Sequence, residues 1–198
     1  MNVVFDLGGV VVAWKPDDIL ARAFADPRHR ALARREIIGH PDWLALDRGT
    51  ISPDEVIARG ARRTGLPEPV VKSLLESVPA ALVADPQMVD LLHRVSAAGN
   101  ALYCLSNMPV MSMDYLERAY SFWHLFTGVV VSSRVGFCKP EREIYAHLLE
   151  THLLDASDTV FIDDVVANLD AAAELGIRTI RFLDSSQCEA ELRRIGCL

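Results

Sequence analysis

The chain has 198 residues, 51% of them hydrophobic and 24% charged, and its formal net charge is −7. This length allows one domain of moderate size, or a core domain with a small insertion. The acidic balance argues against nucleic acid as a partner, and no apolar run approaches the ~20 residues that span a membrane. The four cysteines show no CxxC spacing. We therefore expect reduced thiols and a cytoplasmic location.

The first predicted strand, about residues 2–7, runs into Asp6-Leu7-Gly8-Gly9, where two glycines permit a tight turn. Residues 15–84 then contain no convincing strand. They are predicted to form helices over 17–26, 27–38, 53–64 and 67–78. Ser52-Pro53-Asp54-Glu55 is the most specific start signal, because it combines an N-cap serine, an N1 proline and the glutamate of a capping box. Pro41 and the nearby glycines are interpreted as stop signals.

From residue 85 the pattern changes to a regular alternation of helices and strands. Strands are predicted over 101–105, 128–132, 159–162 and 178–182, and helices over 110–120, 140–151, 166–175 and 188–195, with a helix opening at residue 85. Such alternation is typical of a parallel sheet covered by helices on both faces. The sequence thus predicts an α/β fold with a core domain of residues 1–14 and 85–198 and a helical insertion over 15–84.

Polar residues follow three short apolar runs, and a lysine precedes a proline-initiated helix. Ligands of such folds bind beyond the carboxyl ends of the strands. These groups together suit a phosphoryl group and a divalent cation. They are Asp6, Ser106 with Asn107, Lys139, and Asp163 with Asp164.

Each of these groups also has a plainer interpretation. Asp6 could attack phosphorus or bind a metal, or it could only cap a turn. Ser106 could hold phosphate oxygens or cap a helix, and most lysines such as Lys139 are merely solvated. The pair Asp163-Asp164 is the strongest signal, because adjacent carboxylates repel unless a cation or lysine compensates them. Mg²⁺ prefers such oxygen ligands.

Taken together, these segments resemble the haloacid dehalogenase (HAD) superfamily over nearly the whole chain. Residues 15–84 resemble the helical cap of its subfamily I, which implies a Rossmann-like core. Residues 5–12, 105–107, 139–145 and 158–164 are similar to bacterial α-D-glucose-1-phosphate phosphatases. The resemblance implies Asp6 as the nucleophile, and Ser106, Asn107 and Lys139 as the groups that hold the phosphoryl group. It implies Mg²⁺ bound by Asp6, the Gly8 carbonyl, Asp164 and Asp163.

One position departs from the pattern of most HAD phosphatases. They carry a second aspartate two residues after the nucleophile, which serves as general acid and base, and here that position is Gly8. The proton donor is therefore unidentified, and solvent or a cap residue could replace it. General acid catalysis contributes about 10²–10⁴-fold, so we expect a slow phosphatase.

Cap residues would set the substrate. Trp43, Asp47 and Arg48 lie near the Gly49 turn. Trp43 could stack on a sugar, although tryptophans usually pack in cores, and Arg48 could pair with an anionic group.

The expected activity is Mg²⁺-dependent hydrolysis of a small phosphorylated metabolite, such as a sugar phosphate, by a monomer or homodimer. One alternative is a 2-haloacid dehalogenase, which would need no metal. Another is a catalytically weak binding protein with the same fold.

Overall fold

A five-stranded parallel sheet organises the molecule in the computed structural model, which describes all 198 residues. The strands are β1 (Asn2–Phe5), β2 (Ala101–Ser106), β3 (Phe126–Val131), β4 (Thr159–Asp163) and β5 (Arg178–Arg181). Their order across the sheet is β3-β2-β1-β4-β5, and every neighbouring pair is parallel. β1 therefore lies at the centre, with β2 and β4 on its two sides. The predicted Rossmann-like α/β class is confirmed.

The segment between β1 and β2 is helical, as predicted. Its helices are α1 (Pro16–Ala23), α2 (Pro27–Ala33), α3 (Pro41–Arg48), α4 (Pro53–Thr64) and α5 (Glu68–Ala81), and α2 continues into a π-helical turn (Arg34–Ile38). α4 has the predicted bounds, because Ser52 and Glu55 form both hydrogen bonds of the capping box. The helices enclose a separate cluster of 15 buried hydrophobic residues.

Helix α3 was not predicted, and this is the main error in the element assignment. Pro41 was interpreted as a stop signal, but it occupies the first turn of α3 behind His40, whose ring accepts from the Asp42 N–H. Proline is favoured at the first helical position because a backbone N–H there would have no hydrogen-bond partner within the helix. The helix ends at Gly49, whose φ of +78° suits glycine.

The remaining helices cover the two faces of the sheet. They are α6 (Pro86–Ala97), α7 (Val110–Ala119), α8 (Ser132–Val135), α9 (Arg142–His152), α10 (Val166–Ala173) and α11 (Ser185–Arg194). Because successive side chains of a strand point to opposite faces, Val3 and Phe5 enter one hydrophobic cluster and Val4 enters the other. None of the helices combines the length and the apolar composition needed to cross a membrane.

Two linkers join the helical insertion to the core side by side. The Ala13 N–H donates to the Val83 carbonyl at 2.8 Å, and the Asp85 N–H donates to the Val11 carbonyl at 2.9 Å. Both linkers lie just beyond the carboxyl end of β1. The insertion therefore stands over the edge of the sheet at which ligands of this fold class bind.

Candidate active site

Asp6 follows the last residue of β1 and is 6% exposed. Its Oδ1 accepts a hydrogen bond from the Leu7 N–H at 2.7 Å, and the Lys139 ammonium lies 2.8 Å from the same atom. Burial raises the pKa of Asp6 to about 7, and the ammonium acts in the opposite direction by favouring the carboxylate. Oδ2 is the oxygen that these two partners leave available.

Lys139 joins two carboxylates. Its Nζ donates to Asp163 Oδ2 at 2.7 Å and lies 2.8 Å from Asp6 Oδ1. Burial lowers the pKa of Lys139, but the two carboxylates more than offset this, so the net shift is upward and the side chain stays charged. The Asn168 amide also donates to both oxygens of Asp163, at 3.1 and 3.0 Å. Asp163 therefore holds Lys139 in place against Asp6.

A cluster of carboxylates lies where β1 and β4 end. Oxygen atoms of Asp6, Asp163 and Asp164 lie within 4.8 Å of one another. Lys139 pairs with only two of these three carboxyl groups, so the cluster has more acidic groups than cations in contact with them. Burial and the neighbouring Asp163 raise the pKa of Asp164, as expected for a carboxylate that lacks a cation.

Two glycines, Gly8 and Gly9, lie beside this cluster of carboxylates. A Cβ atom on Gly9, whose φ is +82°, would lie 2.6 Å from Asp164 Oδ2. Gly8 lines the cavity next to the carboxylates, which is where its carbonyl was predicted to bind a metal. The charge and the oxygen donors of this site fit a divalent cation of the Mg²⁺ type.

Ser106 ends β2, the strand beside β1. Its hydroxyl is fully buried and has no hydrogen-bond partner in the protein. Buried hydroxyls are normally satisfied, so an unpartnered one requires an explanation. The predicted contact between Ser106 and a phosphoryl oxygen would explain this hydroxyl, and it stays a prediction.

Asn107 is placed at the site but is already engaged. Its amide donates to the Lys139 carbonyl at 2.9 Å and accepts from the Lys139 N–H at 2.8 Å. This pair of bonds fixes the lysine backbone to the end of β2. The predicted contact of Asn107 with a phosphoryl group stays a prediction, and its hydrogen bonds assign it a positioning role.

A cavity of about 290 Å³ separates the core from the insertion. We call its lining residues from the core the floor and those from residues 15–84 the roof. The floor contains the polar cluster around Asp6 and Lys139. The roof is largely apolar, and its residues are Pro16, Arg34, Ile38, Trp43, Asp47, Val78 and Leu82.

The two residues of the insertion predicted to contact substrate have different surroundings. Trp43 lines the cavity, is 8% exposed, and its ring centre lies 5.9 Å from that of Trp14. Arg48 lies outside the lining. Its guanidinium forms two hydrogen bonds with the Glu141 carboxylate, at 2.7 and 2.5 Å, and so connects the insertion to the core. The predicted role of Arg48 in substrate binding stays a prediction.

Asp47 and Arg34 also line the roof. The sequence analysis named Asp47 among the cap residues that would set the substrate, without a specific contact, and it did not single out Arg34. Asp47 follows Trp43 by four residues on α3, a spacing that places both side chains on one face of a helix. Burial raises the pKa of Asp47 to about 7. Recognising α3 from its N1 proline and terminal glycine would have revealed this pairing.

Residues 1–176 match the family model of haloacid dehalogenase-like hydrolases. The chain belongs to this family. A sesquiterpene phosphatase of Aspergillus oryzae is 30% identical to this HAD-like hydrolase over 195 residues, covering 98% of this chain and 96% of that protein.

Solved structures of the family include both phosphate-bound and dehalogenase members. A HAD family enzyme of Bacteroides thetaiotaomicron, in complex with magnesium and inorganic phosphate, superposes with a TM-score of 0.70 at 22% identity, covering 91% of this chain and 92% of that one. The L-2-haloacid dehalogenase of Xanthobacter autotrophicus superposes with a TM-score of 0.69 at 17% identity, covering 100% and 84%. The fold alone therefore does not distinguish a phosphatase from a dehalogenase. The distinction has to come from the residues of the floor.

Proposed function

We propose that this HAD-like hydrolase is a Mg²⁺-dependent phosphatase that acts on a small phosphorylated metabolite through an aspartyl-phosphate. The observation that carries the proposal is the charge of the floor, where three carboxylates share the single ammonium of Lys139. A dehalogenase attacks carbon without a metal and gains nothing from an excess of carboxyl groups beside the nucleophile. A divalent cation would hold these groups as carboxylates and would favour phosphoryl transfer.

The floor residues account for both steps of hydrolysis. Asp6 Oδ2 attacks phosphorus, the bond to the leaving oxygen breaks, and that oxygen takes the electron pair. Water then attacks the aspartyl-phosphate, which releases inorganic phosphate and restores the carboxylate. The Lys139 ammonium offsets the charge that gathers around Asp6, and the free Ser106 hydroxyl donates to a phosphoryl oxygen.

Asp6, Asp164 and the Gly8 carbonyl would hold Mg²⁺, with Asp163 beside them. When bound, the cation neutralises charge on the phosphoryl oxygens. Both Asp163 oxygens already accept hydrogen bonds from Asn168, and one also accepts from Lys139. Asp164 lines the cavity, so we assign it the larger share of metal binding in this part of the site.

The roof favours a substrate whose organic part is largely apolar. Trp14 and Trp43 face the cavity with aliphatic side chains around them, and the roof offers only two charged groups, Arg34 and Asp47. Several hydroxyls of a sugar would lose water there without enough partners, which is costly. The similarity to a sesquiterpene phosphatase supports the same choice. The predicted sugar phosphate is the second candidate, because the two tryptophans also offer a stacking surface.

The test is phosphate release from a prenyl monophosphate, α-glucose-1-phosphate and 4-nitrophenyl phosphate, with Mg²⁺ or EDTA. We expect activity that requires Mg²⁺, is highest with the prenyl substrate, and falls to background in Asp6→Asn. The matched control is Asp54→Asn, because Asp54 is an exposed aspartate of the insertion that forms no ion pair.

Different outcomes would change different parts of the proposal. Preference for the sugar phosphate would transfer the substrate assignment to the second candidate. Release of halide from a 2-haloacid in EDTA, without phosphatase activity, would establish the dehalogenase. Absence of both activities in a folded protein would leave a binding protein.

A further inference from the structure

The floor lacks a group that can give a proton to the leaving oxygen. Glycine at position 8 supplies no side chain, and the Lys139 ammonium is committed to Asp6 and Asp163. Asp164 is assigned to the metal, and both polar ends of the Asn107 amide hold the Lys139 backbone. An alkyl oxygen is a poor leaving group unless it is protonated as it departs. The donor must therefore come from elsewhere in the cavity.

We propose that Asp47, on the roof, is the general acid that protonates the leaving oxygen and the base that then takes a proton from the attacking water. The inference rests on the proposed phosphatase function. In the first step the Asp47 proton moves to the leaving oxygen as its bond to phosphorus breaks. In the second step the water that attacks the aspartyl-phosphate returns a proton to Asp47, so the protons balance over one turnover.

The in-line geometry of phosphoryl transfer explains why the position of Asp47 suits this role. The attacking and leaving oxygens lie roughly in line on opposite sides of phosphorus. Asp6 attacks from the floor, so the leaving oxygen points toward the roof. Among the roof residues only Arg34 and Asp47 are ionisable, and a guanidinium does not give up its proton in proteins. Asp47 is thus the one proton donor on the required side.

Contacts on both sides of Asp47 fix its position relative to the floor. The Ser132 hydroxyl donates to the Asp47 carbonyl and itself accepts from the Met108 N–H at 2.9 Å. Next in sequence, Arg48 is bound by Glu141. A Cβ atom on Gly49 would lie 2.7 Å from the Ser133 carbonyl, so only glycine permits the backbones to approach this closely. These contacts fix the backbone on both sides of Asp47, which limits the positions that its carboxyl can take in the cavity.

The surroundings of Asp47 allow a large fraction of its carboxyl groups to keep their proton up to near neutral pH. Burial raises its pKa to about 7, which is the range that suits a group acting as both acid and base. Its carboxyl has no hydrogen-bond or ion-pair partner in the protein, and burial likewise keeps the nearby Cys138 a neutral thiol by raising its pKa to about 11. The charged groups of the surrounding elements are paired elsewhere: Arg34 with Asp17, Arg48 with Glu141, Arg59 and Arg63 with Asp42, Arg134 with Glu117, and Lys139 with Asp6 and Asp163.

The experiment compares formation of the aspartyl-phosphate from two substrates in Asp47→Asn, by rapid quench with Mg²⁺ present. 4-Nitrophenyl phosphate has a leaving group that departs as a stable anion, whereas a prenyl monophosphate requires protonation. We expect phosphorylation by the prenyl substrate to slow by about 10²–10⁴-fold, the usual contribution of general acid catalysis. Phosphorylation by the aryl substrate should stay near the wild-type rate, with a burst followed by slow turnover as the aspartyl-phosphate accumulates.

Asp54→Asn is the control for the same chemical change elsewhere in the insertion, and melting curves check that each variant is folded. Equal slowing with both substrates would overturn the proposal, because it would mean that Asp47 only shapes the site. Unchanged phosphorylation with both would overturn it as well. Wild-type protein that releases phosphate from neither substrate would instead contradict the proposed function, and the role of Asp47 with it.

Discussion

The floor and the roof of the cavity are built in opposite ways. On the floor, charged side chains are paired with one another: Lys139 joins Asp6 to Asp163, and Asn168 and Asn107 hold these groups by further hydrogen bonds. Only Asp6 Oδ2, the Asp164 carboxyl and the Ser106 hydroxyl are left without a partner. On the roof, apolar side chains surround one carboxyl, that of Asp47, which has no partner at all.

Because of this difference, the floor and the roof suit different parts of the reaction. The floor is formed largely by the ends of neighbouring strands, whose relative positions the hydrogen bonds of the sheet fix, so its carboxylates keep fixed positions relative to one another. The roof is formed by helices of a separately packed insertion, which can change without disturbing the sheet. We infer that phosphoryl chemistry belongs to the floor, whereas substrate selection and proton transfer belong to the roof.

The largest effect is expected on the floor, from Lys139→Met. The change leaves Asp6 and Asp163 buried without their shared cation, and breaking a buried ion pair in this way costs about 3–5 kcal/mol. Urea unfolding in EDTA measures this loss of stability. Adding Mg²⁺ should recover part of it, because a cation that binds the folded state stabilises that state.

Lys72→Met is the matched control for that prediction. Lys72 forms an exposed ion pair with Glu76 at 3.8 Å, so its loss should change stability by no more than about 0.5 kcal/mol. A loss below about 1 kcal/mol in Lys139→Met would contradict the ion-pair description of the floor. Recovery by Mg²⁺ that also occurs in Lys72→Met would point to cation binding elsewhere.

Most of the floor was predictable from sequence, for a physical reason. Buried parallel strands are short apolar runs that end abruptly, and their carboxyl ends share one edge of the sheet. The end of each run therefore placed Asp6, Ser106 and Asp163 together without any knowledge of distances. The two hydrogen bonds between the Asn107 amide and the Lys139 backbone were not predictable, because nothing local in the sequence indicates a contact between residues 32 positions apart.

The second largest effect is expected where the insertion and the core meet, at the Arg48–Glu141 pair. Both side chains are partly exposed, at 26% and 35%. The pair should therefore contribute about 1 kcal/mol, which is about fivefold in a binding constant. We expect Arg48→Met and Glu141→Gln each to lower kcat/KM about fivefold, and the double variant to add little, since both remove the same contact.

Arg94→Met tests whether that effect is local. Arg94 forms the same two-bond pair with Glu189, at 2.6 and 2.8 Å, between α6 and α11. Its loss should leave kcat/KM near the wild-type value. Additive losses in the Arg48 and Glu141 double variant would show that Arg48 also contacts substrate, as the sequence analysis predicted.

The roof was less predictable than the floor. α4 was predicted to the residue because the capping box is a local signal. α3 was missed because its N-cap is a histidine and its proline has two opposite meanings, a helix start or a helix stop. Without α3, the common face of Trp43 and Asp47 could not be seen. The partner of Arg48 lies 93 residues away, so no nearby residue indicated it.

The smallest effect concerns stability and pH, and it isolates the unpartnered carboxyl of the roof. Burial raises the pKa of Asp47 from 3.8 to about 7 in the folded protein. Between these values the folded state binds more protons than the unfolded one, so Asp47 lowers stability as pH rises from about 4 to about 7.

Asp47→Asn removes this penalty. Its Tm should exceed that of the wild type by a margin that widens over this range and is constant above it. Because Asp47 is partly exposed, solvent screens most of the penalty that the full pKa shift would imply, and we expect a margin of about 2–4 °C, the shift for roughly 1 kcal/mol in a chain of this size. Asp6 and Asp164 are unchanged in both proteins, so their titration cancels in the difference, and Asp54→Asn should show no such trend. A margin that is flat from pH 4 to 8 would mean that burial does not shift the titration of Asp47, which would remove the contrast between a floor of paired charges and an apolar roof around an unpaired carboxyl.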